Sequence, residues 1–191
     1  VEIRSKESLV QSLKANAEDG VLVYLHGYNT SLRRACREAA MVAYRTGFAD
    51  RFLLISWPAS RWGVTYRQDE RRFAESMPQI LTILDDLGET LGHEKINIIA
   101  HSMGSRLVLS EIPASKDGRL FNNLILVAAD IDSDRFVEVL PRLKQRVRNI
   151  SLLVSSADRL LMLSRTLNLG ERLGQDDDFE AEDVDVVDVS G

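Results

Sequence analysis

The stretch Lys95-Ile96-Asn97-Ile98-Ile99-Ala100-His101-Ser102-Met103-Gly104-Ser105-Arg106-Leu107-Val108 decides how the chain is read. A β-branched apolar run ends abruptly in Ala-His-Ser-Met-Gly, and a helical pattern follows at once. This is the spacing of the nucleophile elbow, G-x-S-x-G, with alanine in place of the first glycine. So sharp a strand-to-helix turn requires small residues two before and two after the serine. It leaves Ser102 Oγ exposed above the sheet, at a helix N-terminus whose partial positive charge favours an oxyanion. Five matching residues alone would be better explained by an ordinary βα turn; the strand before and the helix after tip the reading to the elbow.

The rest of the chain alternates in the same way. Val21–Leu25 is a continuous apolar run, the signature of a strand buried on both faces of a parallel sheet, Leu124–Ala129 is another buried strand, and Phe52–Trp57 and Ile150–Val154 also read as strands. Between them lie helical patterns: residues 5–18, the stripe Leu32, Ala35, Cys36, Ala39, Ala40 and Ala43 with Ser31 as cap and Gly47 as stop, and Phe73 to Leu84, kinked or restarted at Pro78. Phe136 to Val147 and Leu160 to Leu167 complete the helices, and Val184 to Val189 alternates like an edge strand. The expected fold is a mostly parallel sheet with helices on both faces, in one domain spanning 1–191. In such sheets the site lies at the carboxyl ends of the strands. His26-Gly27-Tyr28, Trp57-Pro58, Ser102, Asp130 and Asp158 all fall at such ends.

Composition bounds the function. The net charge of −5 conceals an acidic tail: residues 171–191 carry −8, leaving +3 for the remainder. A net-acidic chain without a large basic block is a poor nucleic-acid binder. No apolar run reaches the roughly 18 residues of a membrane span. The single cysteine, Cys36, excludes an internal disulfide and is expected to be a buried structural thiol on a helix face. Asp176, Asp178 and Glu180 alternate as in a calcium loop, but Ala181 stands at the glycine position and the closing glutamate is missing. A solvated loop accounts for them better, and no metal or cofactor is expected. Arg67, Arg71 and Arg72 suit an anionic substrate no better than an exposed helix turn.

In elbow-type hydrolases one oxyanion donor comes from the residue after the nucleophile and the other from the loop after an earlier strand. Here these are the backbone N–H groups of Met103 and Tyr28. A serine also needs a base, and the base an orienting acid, in the chain order Ser, Asp or Glu, His. Asp158 is the favoured acid and Asp130 the runner-up. Asp130, Asp132 and Asp134 are better explained as caps and favourable charges where a helix begins. Of the histidines, His26 belongs to the oxyanion loop, His93 lies at the wrong edge of the sheet, and His101 is turned away from the hydroxyl; none is a credible base. Trp57, Trp62 and Tyr66 either wall an acyl pocket, contacting substrate, or pack their loop onto the sheet.

These motifs together, Leu25-His26-Gly27-Tyr28-Asn29-Thr30-Ser31, Ser56-Trp57-Pro58, Tyr66 with Asp69, Ala100-His101-Ser102-Met103-Gly104, Ala129-Asp130-Ile131-Asp132 and Val154-Ser155-Ser156-Ala157-Asp158-Arg159, follow one ordered pattern. The chain resembles the mostly bacterial α/β-hydrolase family catalogued as domain of unknown function number nine hundred, over residues 20–190. The resemblance implies an α/β-hydrolase fold and serine esterase or lipase-like activity on a small-molecule ester. It also implies a Gly-His-Ser-Tyr-like segment carrying the catalytic histidine after a strand like Val184 to Ser190. The expectation is therefore a chain truncated before its base, folded for acyl chemistry but largely unable to perform it alone. A single helix where larger relatives insert a lid predicts an open site. Two rivals share these motifs: a non-catalytic hydrolase-fold binding module, and an acyltransferase that uses the same acyl-enzyme. Acyl specificity, oligomeric state and compartment are not legible in the residues.

Overall fold

The computed structural model describes residues 20–48, 51–59, 66–109, 112, 118, 120–155, 173–175 and 179–190. Its frame is a six-stranded parallel sheet: β1 (Val21–Leu25), β2 (Arg51–Ile55), β3 (Ile96–His101), β4 (Phe121–Val127), β5 (Val147–Val154) and β6 (Val184–Asp188), in the spatial order β2-β1-β3-β4-β5-β6. Among the described residues three α-helices accompany it: α1 (Leu32–Thr46), α2 (Tyr66–Leu91) and α3 (Ser133–Leu143). The strand order reverses direction between β1 and β3, and a crevice opens there above the carboxyl ends.

The period-two alternation of β1 sorts the core into two layers. Val21, Val23 and Leu25 join Phe73, Met77, Ile80 and Leu84 of α2, with Leu107, Phe136 and Leu140, in the larger cluster. Leu22 and Tyr24 face the other way and meet Ala39 of α1. Helices thus cover both faces, and one eleven-residue helix is the only helix between β4 and β5, with no large lid there. This is the small α/β-hydrolase architecture expected from the motifs.

The details depart from expectation in four places, one being that the helix expected over Phe136 to Val147 ends at Leu143 and Val147 opens β5. Helix α2 runs unbroken for 26 residues through Pro78, without restarting. Proline removes one backbone donor but its φ is helical, and the buried stripe from Phe73 to Leu91 continues on both sides of it. Cys36 is exposed, not buried: α1 buries only Ala35 and Ala39, so the small-residue stripe is narrower than its periodicity suggested. The segment after the elbow, Ser102–Leu109, is a 3₁₀ helix. The capping expectations hold, with Ser31 accepting from the Arg34 N–H and Gly47 left-handed at φ 63°. The helical patterns at 5–18 and 160–167, and Asp176 and Asp178, lie outside the described residues.

Register aligns the strand ends. Leu25 pairs with Ile55 and Ala100, His101 with Val127, and Val127 with Leu153. The segments that follow, His26-Gly27-Tyr28, Ser56-Trp57, Ser102, Ala128-Ala129-Asp130 and Ser155, are thereby delivered to one edge. The short turn Leu173–Gln175 docks onto that edge. Gly174 donates to the Ala129 carbonyl at 3.0 Å and accepts from the Ser155 N–H at 2.8 Å. A Cβ on Gly174 would overlap the Ala128-Ala129 backbone, so only glycine fits.

Candidate active site

Ser102 has φ 51°, a left-handed conformation that a residue with a Cβ adopts at a cost of order 1–3 kcal/mol. The surroundings hold it there. Ala100, two residues earlier, is fully buried in β3 between Leu25 and Leu126. At Gly104, two residues later, a Cβ would sit 2.8 Å from the His26 carbonyl oxygen and 2.9 Å from that of Leu25. Both small-residue demands of the elbow are therefore met by close backbone contact, which also explains why alanine suffices at the first position. Ser105 Oγ donates to the Ala100 carbonyl at 2.8 Å across the turn. The elbow reads from Ser102 to Gly104 as one rigid unit.

The loop after β1 fits the elbow reciprocally. A Cβ on Gly27 would lie 2.8 Å from Ser102 Cβ and 3.2 Å from His101 Nδ1. Glycine at this point lets the Tyr28 segment approach the serine. Tyr28 N–H has no acceptor among the described residues. Met103 N–H belongs to the first turn of the 3₁₀ helix, where donors lack intrahelical partners. The loop is itself pinned. Asn29, left-handed at φ 51°, donates its N–H to the carboxylate of Asp69 at 3.2 Å, and Thr30 Oγ1 donates to the Tyr28 carbonyl at 3.0 Å. Asp69 is fully buried in the first turn of α2 and is also 3.4 Å from Arg72 Nη1. Burial, with the nearby Asp69 charge second, raises the Tyr28 phenol above its ordinary pKa.

His26 is buried and occupied. Its ring stacks on Trp57 with centroids 5.1 Å apart, and Nε2 accepts from the Trp57 N–H at 3.3 Å and lies 3.0 Å from Ser56 Oγ. An Nε2 that accepts leaves the proton on Nδ1, which donates to the Gly27 carbonyl at 3.0 Å. Trp57 Nε1 closes the arrangement by donating to the His26 carbonyl at 2.9 Å. Burial pushes the His26 pKa below its ordinary value, and a second proton on Nε2 would face the Trp57 N–H.

Asp130, only 1% exposed, is held by two partners. It accepts a hydrogen bond from the Tyr66 hydroxyl and pairs with Arg106 Nη2 at 3.4 Å. Arg106 also donates to the Asp130 carbonyl at 3.1 Å and to Tyr66 Oη at 2.6 Å, and it pairs with Glu70. Burial alone would lower the Arg106 pKa; Asp130, Tyr66 and Glu70 outweigh it, and the net shift is upward. The Asp130 N–H donates to the Ser102 carbonyl at 3.3 Å, tying this network to the elbow. Capping, expected of all three aspartates, falls to Asp132, which accepts from the Arg135 N–H.

Ser102, Tyr28 and Met103 are thus brought to one place. Trp57 and Tyr66 are buried behind it: Trp57 also meets Phe73 edge-on, and Tyr66 lies 5.5 Å from the half-buried Tyr28 ring. Asp158 and Trp62 lie outside the described residues. Ser102 Oγ makes no hydrogen bond among the described residues, so His26, His93 and His101 are not its partners. Asp69, Arg106 and Glu70 were not assigned a role from the sequence. Their only local signals are the i, i+3 spacing of Tyr66 with Asp69 and the i, i+4 spacing of Ser102 with Arg106.

Residues 2–189 match the family model described as alpha/beta hydrolase of unknown function (DUF900). No curated protein matches the chain. Among solved structures, esterase 2 of Thermogutta terrifontis phosphoramylated by tabun aligns with a TM-score of 0.46 at 14% identity, covering 91% of this chain and 72% of that one. MGS-M1, an alpha/beta hydrolase enzyme from a Medee basin deep-sea metagenome library, aligns at 0.44 and 13% identity, covering 100% and 74%.

Two outcomes follow from these contacts. Tyr66→Phe removes the hydroxyl shared by Asp130 and Arg106 and lowers the urea-unfolding free energy by about 2 kcal/mol, the cost of under-satisfying a buried charged group. Because the folded pKa of His26 lies below its unfolded value of about 6.5, the unfolded chain binds the extra proton. Stability therefore falls as pH drops below about 6.5. In His26→Gln the dependence between pH 6.5 and 5 is shallower, by up to about 1.4 kcal/mol per pH unit.

Proposed function

From the premise that the chain belongs to the alpha/beta hydrolases of unknown function, we propose that it is a serine hydrolase cleaving small carboxylic esters through an acyl-enzyme on Ser102. The observation that carries this reading is the left-handed Ser102, held at a strand end against the Gly27 loop. A serine so held projects its hydroxyl out of the turn, and the closeness of the Gly27 loop supports the Tyr28 and Met103 N–H groups as its oxyanion donors.

In the proposed reaction Ser102 Oγ attacks the ester carbonyl carbon while its proton passes to a histidine. The tetrahedral oxyanion accepts hydrogen bonds from the Tyr28 and Met103 N–H groups; one such donor is worth about 3 kcal/mol of barrier. Collapse expels the alcohol, which takes the proton from the imidazolium. Water, deprotonated by the same histidine, then cleaves the acyl-enzyme and restores Ser102. Asp158 orients the histidine. The full engagement of Asp130 by Tyr66 and Arg106 supports this choice over its rival. In the chain order of the class the base follows the acid, and among the described residues no histidine bonds Ser102 Oγ. Acyl contact falls to the half-buried Tyr28 ring, with Tyr66 behind it and Trp57 beneath the His26 loop. With only α3 between β4 and β5, the site is open and suits short acyl groups.

Hydrolysis of p-nitrophenyl esters tests this. The protein is expected to prefer acetate and butyrate over palmitate, and Ser102→Ala to reduce kcat/KM by at least about 1,000-fold. A wide preference for palmitate would contradict the open site, and full activity in Ser102→Ala would remove the nucleophile.

A further inference from the structure

Asp85, Glu89 and His93 recur at intervals of four, so the two acids share one face of α2 and the histidine follows just past its end. One carboxylate oxygen from each acid and a ring nitrogen of His93 all lie within 4.8 Å of one another. Among the described residues none of the three side chains makes a hydrogen bond or ion pair. His93 is 1% exposed, and its Nε2 is buried without a hydrogen-bond partner. A buried ring nitrogen left in this state calls for a ligand.

The ring is set in place by packing. A Cβ on Gly88 would overlap its Nε2, Cδ2 and Cε1 atoms, and Phe121 meets it edge-on with centroids 4.9 Å apart. A ring nitrogen of His93 so seated lies within 4.8 Å of both carboxylates. Glycine here serves a seat for the imidazole, since any side chain would expel it.

We propose that Asp85, Glu89 and His93 bind one divalent transition-metal cation of the zinc class. Two carboxylates and an imidazole suit Zn²⁺, which accepts oxygen and nitrogen ligands together, whereas Mg²⁺ and Ca²⁺ favour oxygen alone. The two negative charges offset the ion, and three protein ligands leave a fourth position to water. The site lies at the amino edge of the sheet, where β3 and β4 begin, opposite the end that carries Ser102. Its cation ties the carboxyl end of α2 to the start of β3 and takes no part in chemistry at the serine.

Calorimetric titration of chelator-treated protein with ZnCl₂, alongside MgCl₂, tests the site without reference to activity. One Zn²⁺ per chain is expected to bind saturably, raising the thermal midpoint by several degrees at about a hundredfold excess over Kd. Glu89→Gln changes an exposed side chain and should keep the metal-free midpoint while weakening Zn²⁺ binding at least about tenfold. Asp85→Asn should do the same, and His93→Gln should abolish binding. The proposal is overturned if Zn²⁺ does not saturate, if Glu89→Gln and Asp85→Asn bind it as tightly as the parent, or if Mg²⁺ binds equally well.

Discussion

The parallel pairing of β1 with β3 is the constraint on which the site depends. It places Leu25 beside Ala100, so the two loops that follow leave the sheet in contact. Each loop then has a glycine where the other would collide: Gly27 against Ser102, and Gly104 against the Leu25 and His26 carbonyls. Neither turn could keep its shape if its neighbour moved. The left-handed strain at Ser102, of order 1–3 kcal/mol, persists because this interlock leaves the backbone no other course.

Around that interlock the chain builds two polar clamps from α2. Asp69 receives the Asn29 N–H and fixes the loop that presents Tyr28. Three residues earlier, Tyr66 reaches Asp130, which also binds Arg106 from the segment after the elbow and, through its own N–H, the Ser102 carbonyl. One helical turn of α2 therefore contacts both the Tyr28 loop and the network of Asp130 and Arg106 beside Ser102. The carboxylates in these clamps are buried, and each has polar partners. Removing one partner would leave a charge in the core.

Most of the fold was legible because the inner strands carry short apolar stretches, such as the fully buried Val21–Leu25, separated by helix-period segments, while the exposed β6 shows an edge strand's alternation. The elbow was legible for a similar reason: the need for small residues is local, and Ala100 and Gly104 stand within two positions of Ser102. The clamps were not, because Tyr66 and Asp130 are 64 residues apart and Asn29 and Asp69 are 40 apart, leaving no periodic trace. Cys36 was misread because an alanine-rich stripe marks a helix face without saying how much of it the sheet covers. At Pro78 the helix does not restart, because the apolar stripe continues past it.

The central claim is that this scaffold exists to make Ser102 an acyl acceptor. Reaction of the protein with a fluorophosphonate, followed by peptide mass mapping, addresses it most directly. The account predicts one adduct per chain, on the peptide containing Ser102, and none in Ser102→Ala. An adduct on another residue, or no adduct in the folded protein, would contradict it.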